Sequence, residues 1–144
     1  YNNTVISTRK NRTTLFRLSS TDESAEVWNN VFYATHSGNG LAISNAAGRL
    51  ALSHNWLKTG WKKTHGDLTG TVESKAHLVG FHPGFANQDS SDFRLAPWSM
   101  CRDAGISHPE SSPHPVVLEH RRPKGYRSRV TDQTIDLGAY EFVE

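Results

Sequence analysis

The first half of the chain alternates apolar and polar residues in short runs that recur. Three runs align on an asparagine: Tyr1–Ile6 on Asn3, Trp28–Tyr33 on Asn30 and Ser53–Lys58 on Asn55. The asparagines are separated by 27 and 25 residues, and the same alignment makes Val5, Phe32 and Leu57 equivalent. Because a period of two is typical of half-buried strands, the recurrence predicts a stack of strand-containing coils.

A second apolar element follows each asparagine by thirteen residues, at Phe16, Ile43 and Leu68. Turn-forming Gly, Ser, Asn and Asp residues separate the elements. Short strands repeated at this interval predict an all-β solenoid of parallel strands, with both apolar series filling a narrow interior.

The recurring asparagines Asn3, Asn30 and Asn55 are predicted to be structural. An asparagine amide at a turn can bond the equivalent amide one coil away and satisfy backbone groups that no sheet covers. We therefore expect these three residues to form a ladder along one edge of the stack.

A helical alternative exists for the segment between the first two coils. Ser20–Glu23 has the form of a capping box, and Ala25, Trp28 and Phe32 follow at helical spacing. Since the Asn29-Asn30 pair belongs to a motif that recurs elsewhere, strands are the preferred interpretation. Residues 19–26 are then predicted to be a long acidic turn.

The pattern changes near residue 75, where proline and glycine begin to interrupt the chain. We predict two to three coils in residues 1–75 and, in the same domain, a loop-rich C-terminal cap in residues 76–144. The cap is expected to cover the open end of the last coil, because an uncovered coil exposes apolar surface and unpaired strands. Its last strand is predicted at Thr134–Val143, where apolar and polar residues interleave.

Composition agrees with a thin-cored β structure of one domain. The chain has 144 residues, of which 35% are hydrophobic, and Asn, Ser and Thr make up a quarter of it. These residues suit turns and strands better than helices, so a helical bundle is disfavoured. The lone Cys101 excludes an internal disulfide framework. Its first residues carry no targeting segment, and we expect the chain to be the end of a longer protein.

Charge excludes two classes of partner. Sixteen Lys and Arg residues against fourteen Asp and Glu residues leave a net charge of +2, too little for general attraction to nucleic acid. The longest stretch without charged residues, Val27–Gly48, is interrupted by Asn and His residues, so insertion into a membrane is not expected.

Three motifs in the second half resemble one family. Asp92–Gly105 resembles the D-F-R-L-x-P-x-S-P-x-x-D-A-G segment near the end of bacterial right-handed parallel β-helix proteins. Pro83-Gly84-Phe85 resembles the P-G-F that precedes it, and Asp136–Phe142 resembles the closing D-I-G-A-Y-E-[FY]. The sequence departs from the family at Trp98, usually Gly, and at Met100, usually Pro.

The resemblance implies a right-handed parallel β-helix with an irregular C-terminal cap, in a secreted or cell-surface protein. Relatives include polysaccharide lyases and glycosidases, some of which use Ca²⁺. The matching motifs carry no catalytic residue, and the outward positions of the coils show no stacked carboxylate pair. The enzyme question stays open, with any active site expected outside this segment, and no cofactor is predicted except Ca²⁺ through the resemblance.

A role in binding acidic polysaccharide requires less of the sequence. The candidate residues combine aromatic faces with polar groups: Arg17, Trp28, Tyr33, His54 and Lys58. Such combinations suit sugar rings and uronates. Trp56 and Trp61 are expected to pack under the cap instead. The alternative from another class is a non-catalytic structural or interaction module, forming a homodimer through the exposed first coil, Tyr1–Leu18.

The remaining polar motifs favour simpler explanations. Five cations lie among the ten residues 120–129, which we interpret as a solvated loop and not as a nucleic-acid site. His108, His114 and His120 are spaced by six residues, unlike the spacing of tight metal sites, so no metal site is predicted.

Overall fold

The computed structural model describes residues 1–44, 47–108, 112, 114–121, 123–132 and 134–143. Within these residues the fold is all-β, with one short 3-10 turn at Gly38–Gly40. The strands in chain order are β1 (Thr4–Ser7), β2 (Thr13–Phe16), β3 (Ser24–Trp28), β4 (Val31–Ala34), β5 (Leu41–Ser44), β6 (Arg49–Ser53), β7 (Trp56–Lys58), β8 (Thr71–Lys75), β9 (Leu78–Gly80), β10 (Phe85–Asn87), β11 (Asp92–Leu95), β12 (Leu118–His120) and β13 (Tyr126–Ser128). The described residues contain no helix long and apolar enough to span a membrane.

Strands β1 to β9 form three parallel sheets that the chain visits in turn. The four-stranded sheet has the order β1-β4-β7-β9, the three-stranded sheet β3-β6-β8 and the two-stranded sheet β2-β5. All pairings within these sheets are parallel. The segment with the helical alternative forms β3 and β4, and β3 begins inside the stretch that was predicted to be an acidic turn.

The predicted alignment of Val5, Phe32 and Leu57 is confirmed, since the three residues are direct partners across β1, β4 and β7. The register continues one coil further, where Leu57 pairs with Val79 of β9. This last coil is shorter, with an offset of 22 residues. Parallel pairing therefore extends to Gly80, and the boundary predicted at residue 75 falls directly after β8.

The predicted alignment of Phe16 with Ile43 is wrong by one residue, because Phe16 pairs with Ser44. Six residues connect β4 to β5 but five connect β1 to β2, so the second coil gains a residue before the strand begins. Leu68 continues no strand. The two-stranded sheet is extended instead by a single bridge between Ala42 and Lys62.

The interior between the sheets is a narrow apolar core. Its buried residues are Val27, Phe32, Ala34, Leu41, Ile43, Leu50, Leu52, Leu57 and Val72. Exposure rises at both ends of the stack: Val5 in the first coil is 39% exposed and Val79 in the last is 46% exposed. Self-association through the first coil stays a prediction.

The described residues between 81 and 143 lie beside the stack, which corrects the expectation that they cover its last coil. Val31, Tyr33 and Trp56, on the outer face of the four-stranded sheet, form a second core with Phe85 and other tail residues. This face is apolar, so burying it removes more hydrophobic surface from water than covering the small end of a coil. Trp56 is fully buried there, as expected, whereas Trp61 is partly buried against the interior core.

The strand predicted at Thr134–Val143 is wrong, because this segment is irregular, with bends at residues 134 and 137–139. Its backbone bonds other segments of the chain: Gly105 N donates to Ile135 O (2.7 Å) and Gly138 N donates to Asn29 O (2.8 Å). Gly138 has a φ of +94°, and a Cβ there would lie 2.6 Å from Oγ1 of Thr4. The closing motif therefore attaches the tail to the first two coils, through close packing on Thr4 and a hydrogen bond to Asn29.

Two acids of the closing motif belong to a buried cluster of charged residues. Arg129 donates to Glu141 Oε1 (2.5 Å), and both side chains are only 2% exposed. The Asp136 carboxylate accepts hydrogen bonds from Asp103 N (2.7 Å) and Phe142 N (2.5 Å). Burial raises the pKa of both Asp136 and Glu141, and Arg129 opposes that shift in each. Arg129 is thus the counter-charge of Glu141, whereas the Asp136 carboxylate is stabilised chiefly by its two backbone donors.

The three structural asparagines are hydrogen-bonded in series. Oδ1 of Asn30 accepts the Asn3 backbone N–H (2.9 Å), and Oδ1 of Asn55 accepts the Asn30 backbone N–H (2.9 Å). The side-chain amides of Asn3 and Asn30 donate to the same oxygens. A fourth member, His77, accepts the Asn55 N–H at Nδ1 (3.2 Å). The asparagine repeat does not predict His77, because the last coil is shorter and has no asparagine.

This fourth rung predicts a loss of stability in acid. Nδ1 of His77 must be unprotonated to accept a hydrogen bond, while Nε2 faces Ser74 Oγ (2.9 Å). Burial, and next the nearby His54, lower the pKa of His77. The unfolded chain therefore binds the proton more tightly, so the stabilisation is present above the unfolded pKa of about 6.5 and is lost as pH falls towards the folded value.

We expect His77→Asn, which keeps an acceptor at this rung, to weaken the fall in stability between about pH 7 and pH 5. Urea unfolding midpoints measured across this range provide the readout. His36→Asn, a substitution of an exposed histidine in the loop after β4, is the control and should leave the pH profile unchanged. Equal profiles for His77→Asn and the unmodified protein would contradict the prediction.

Candidate functional site

The outer face of the three-stranded sheet presents two rows of side chains that run across its strands. One row is Glu26, Ala51 and Glu73, and the next is Trp28, Ser53 and Lys75. In both rows the central strand β6 carries a small residue between two larger neighbours. The rows therefore enclose a slot that is one strand wide.

This slot is the centre of a groove of about 300 Å³. Its lining residues include Glu26, Trp28, Arg49, Ala51, Ser53, Glu73, Lys75 and Ile106. Neighbouring strands are about 4.8 Å apart, so the Cα atoms of the two walls are separated by roughly 9–10 Å. A planar side chain on one wall leaves room for one further ring above the small residues of the floor.

Trp28 forms the aromatic wall and is held from behind. Tyr1 stacks on it with ring centroids 4.7 Å apart and an interplanar angle of 15°. The Tyr1 hydroxyl is in turn hydrogen-bonded to Ser112 (2.9 Å) and to the carbonyl oxygen of His114. Because Tyr1 covers one indole face, Trp28 is pre-organised and its other side adjoins the slot.

A charge pair joins the central strand β6 to the opposite wall, β8. Arg49 donates through Nε and an Nη nitrogen to the two carboxylate oxygens of Glu73, each at 3.2 Å. Both side chains are more than half exposed, so the pair orients the wall more than it stabilises the fold. With Glu26 and Lys75, the lining carries two carboxylates and two cations.

The outer face carries two carboxylates, Glu26 and Glu73, which are not stacked on adjacent strands, in keeping with the expectation of no stacked pair. They share one row of the sheet with Ala51 between them. The alternation of residues 71–75 with a 22-residue offset from β6 could have revealed Glu73. The asparagine repeat does not extend to this coil, and for that reason it does not identify Glu73.

The structure does not bring the five predicted carbohydrate-binding residues together. Trp28 lines the slot, and His54 follows its floor residue Ser53 at a turn with φ of +49°. Arg17 is exposed beyond the end of β2, outside the slot. The five residues lie in or next to different sheets, and proximity in the repeat does not bring them to one surface.

Tyr33 and Lys58 belong to the covered side of the four-stranded sheet. Tyr33 is 5% exposed and packs against Trp56, His82 and Phe85. Lys58 lies over the Tyr33 ring, with Nζ 4.9 Å from its centroid, and also donates to the Phe81 carbonyl oxygen. Burial raises the pKa of Tyr33 and lowers the pKa of Lys58. Both residues are therefore packing elements of the interface with the tail.

Metal-ligating side chains are dispersed in the part of the chain that the structure describes. It contains no group of three His, Cys, Asp or Glu residues able to hold a metal ion.

Cys101 is buried, and burial raises its pKa to about 12, so its thiol lacks the ionised form required of a nucleophile.

Comparisons with protein-family models, curated proteins and solved structures find no match to this chain.

Proposed function

We propose that this chain forms coils of a right-handed parallel β-helix in a secreted or cell-surface protein, and that its slot binds one sugar unit of a polysaccharide. The fold proposal is supported by three parallel sheets visited in turn and by the resemblance of the closing motifs. The binding proposal is supported above all by Trp28, which is backed by Tyr1 and lies beside the small outward residues Ala51 and Ser53 of the neighbouring strand.

The dimensions and chemistry of the slot suit a pyranose ring. An indole face stacks on the C–H face of a sugar, while carboxylates accept hydrogen bonds from its hydroxyl groups. Glu26 and Glu73, on opposite walls, supply such acceptors, and Lys75 supplies a donor. Because the slot has equal numbers of acids and bases, we favour a neutral sugar; an acidic polysaccharide, paired with Lys75, is the alternative.

We propose binding and not catalysis by these residues. Glu26 and Glu73 are both exposed, whereas the general acid of a glycosidase commonly lies in an apolar setting. The exposed Glu26 and Glu73 carboxylates therefore fit a role in accepting hydrogen bonds from sugar hydroxyl groups. Any chemistry of a longer protein would require other residues.

Removal of the aromatic wall is expected to abolish most of the affinity. Trp28→Ala should weaken binding of cellohexaose about tenfold or more, because the stacking surface is lost. Trp98→Ala is the matched control, since Trp98 is 70% exposed and lies outside the groove. Isothermal titration with cellohexaose and with hexagalacturonate measures both ligand classes.

A second variant, Ala51→Gln, fills the floor of the slot while leaving Trp28 in place. It should weaken binding as strongly as Trp28→Ala. Binding that is equally strong in all three variants would contradict the location of the site, and absence of binding by the unmodified protein to both oligosaccharides would contradict the function. Tighter binding of hexagalacturonate would select the acidic alternative.

A further inference from the structure

A basic pocket lies between the two antiparallel hairpins of the tail, away from the slot. The hairpins are β10-β11 and β12-β13. The pocket has a volume of about 240 Å³ and is lined by Asp92, Arg94, His120, Arg121, Arg127 and Tyr140. It uses part of the basic segment 120–129, of which Arg122 lies outside the described residues.

Two of its arginines are fixed in position by acids. Arg94 donates through Nε (2.9 Å) and Nη2 (2.6 Å) to the two oxygens of Asp92. Arg127 bonds Oε1 of Glu119, whose side chain is only 1% exposed. A guanidinium has five N–H donors, so each arginine keeps donors beyond those that its acid occupies. The Arg94 and Arg127 side chains are 57% and 44% exposed, and solvent reaches them.

The third arginine of the pocket is Arg121. Arg121 forms no ion pair within the described residues, and its backbone N–H is fixed by the Gly125 carbonyl oxygen (3.1 Å). On another side of the pocket, His120 Nδ1 and the Tyr140 hydroxyl are 3.3 Å apart. Three guanidinium groups from three different segments therefore line one small cavity.

We propose that this pocket binds a single tetrahedral oxyanion, the sulfate or phosphate group of an ester. Asp92 and Glu119 compensate Arg94 and Arg127, so Arg121 gives the pocket an excess positive charge. An anion with several oxygens would balance that charge and accept hydrogen bonds from the planar donors of the arginines in pairs. The Tyr140 hydroxyl, hydrogen-bonded to His120 Nδ1, also lines the pocket. This inference is independent of the sugar slot, because the two sites share no residue.

An isolated ester fits this geometry better than a nucleic acid. Duplex binding relies on a row of cations that neutralises successive phosphates. Here the arginines converge on one cavity, and the whole chain carries a net charge of only +2. The convergence therefore selects one anionic group and not a phosphate backbone.

The test is a titration with inorganic sulfate and inorganic phosphate, followed by nuclear magnetic resonance of backbone amides and arginine Nε–H groups. We expect saturable shifts at Arg94 and Arg127 in the unmodified protein. Arg121→Ala should weaken binding about tenfold, the value of one charge-assisted hydrogen bond. Arg12→Ala removes an exposed arginine outside the pocket and should change nothing.

Two further arms identify the source of the anion and challenge the proposal. A sulfated heparin disaccharide and its desulfated counterpart, compared with glucose 6-phosphate, show which ester binds more tightly; tighter binding of either ester supports the pocket. Equal affinity of Arg121→Ala and Arg12→Ala for both inorganic ions would overturn it. Binding of a DNA duplex that survives Arg121→Ala, without saturable binding of either ion, would overturn it in favour of a nucleic-acid surface. Thermal unfolding confirms that the variants remain folded.

Discussion

Replacing Arg129 with Met is expected to lower the free energy of unfolding by about 3–5 kcal/mol, the cost of breaking a buried ion pair by removing one partner. Arg129 and Glu141 are both 2% exposed, so water cannot replace the lost cation. Asp136 is also buried, and its carbonyl oxygen accepts from Arg129 (3.3 Å). The variant therefore leaves the buried Glu141 without its cation, while the Asp136 carboxylate keeps its backbone donors Asp103 N and Phe142 N. Urea unfolding monitored by circular dichroism measures the change.

The exposed pair of the slot provides a matched control for this experiment. Arg49→Met removes the same type of cation from Glu73, but both partners are more than half exposed, so we expect a loss below about 1 kcal/mol. The double variant Arg129→Met/Glu141→Gln should recover part of the stability, because the unpaired charge is removed with its partner. Similar losses for Arg129→Met and Arg49→Met would show that the buried cluster is not a stabilising counter-charge system.

Replacing Asn55 with Ala should cost about 4 kcal/mol, because several buried groups lose their partners together and each costs about 1–3 kcal/mol. Asn55 is fully buried, and its Oδ1 accepts from the backbone and the side-chain amide of Asn30. Its own Nδ2 donates to the carbonyl oxygens of Val27 (3.0 Å) and Ser53 (2.9 Å). The side chain thus connects three segments. Equilibrium unfolding in urea again provides the measurement.

The first rung of the same series is the natural control. Asn3 is exposed, and water can satisfy the groups that its removal frees, so Asn3→Ala should cost less than about 1 kcal/mol. A difference of several kcal/mol between two chemically identical substitutions would demonstrate that burial gives the ladder its strength. Equal small losses would instead mean that the asparagine series contributes little to stability.

The interior of the stack could be predicted because each coil repeats the same local chemistry. Val5, Phe32 and Leu57 are partners in the structure as the repeat indicated. The prediction failed where coil length changed. The longer connection before β5 moved Phe16 one residue away from Ile43, and the short last coil concealed His77 and Glu73. Successive side chains in a strand point to opposite faces of the sheet, so a single inserted residue makes an alignment of equivalent positions wrong.

One feature of the sequence indicates that β4 is covered on its outer face. Val31, Phe32, Tyr33 and Ala34 are consecutive and all buried. A strand that is apolar on both faces must be covered on both, and the interior core covers only one. This run therefore indicated that another part of the chain lies on the outer side of β4. It did not indicate which part, because that depends on contacts between residues far apart in sequence.

The sequence by itself determined the asparagine series and the alignment of Val5, Phe32 and Leu57 across β1, β4 and β7, because these depend on periodicity and on neighbours one coil away. Only the tertiary structure decided which side chains share a surface. It placed Trp28, Ala51 and Glu73 in one slot, and Arg94, Arg121 and Arg127 at one pocket, while it buried Tyr33 under the tail. The physical reason is that a surface site is defined by distances across strands and hairpins, whereas local alternation specifies only whether a residue points inwards or outwards.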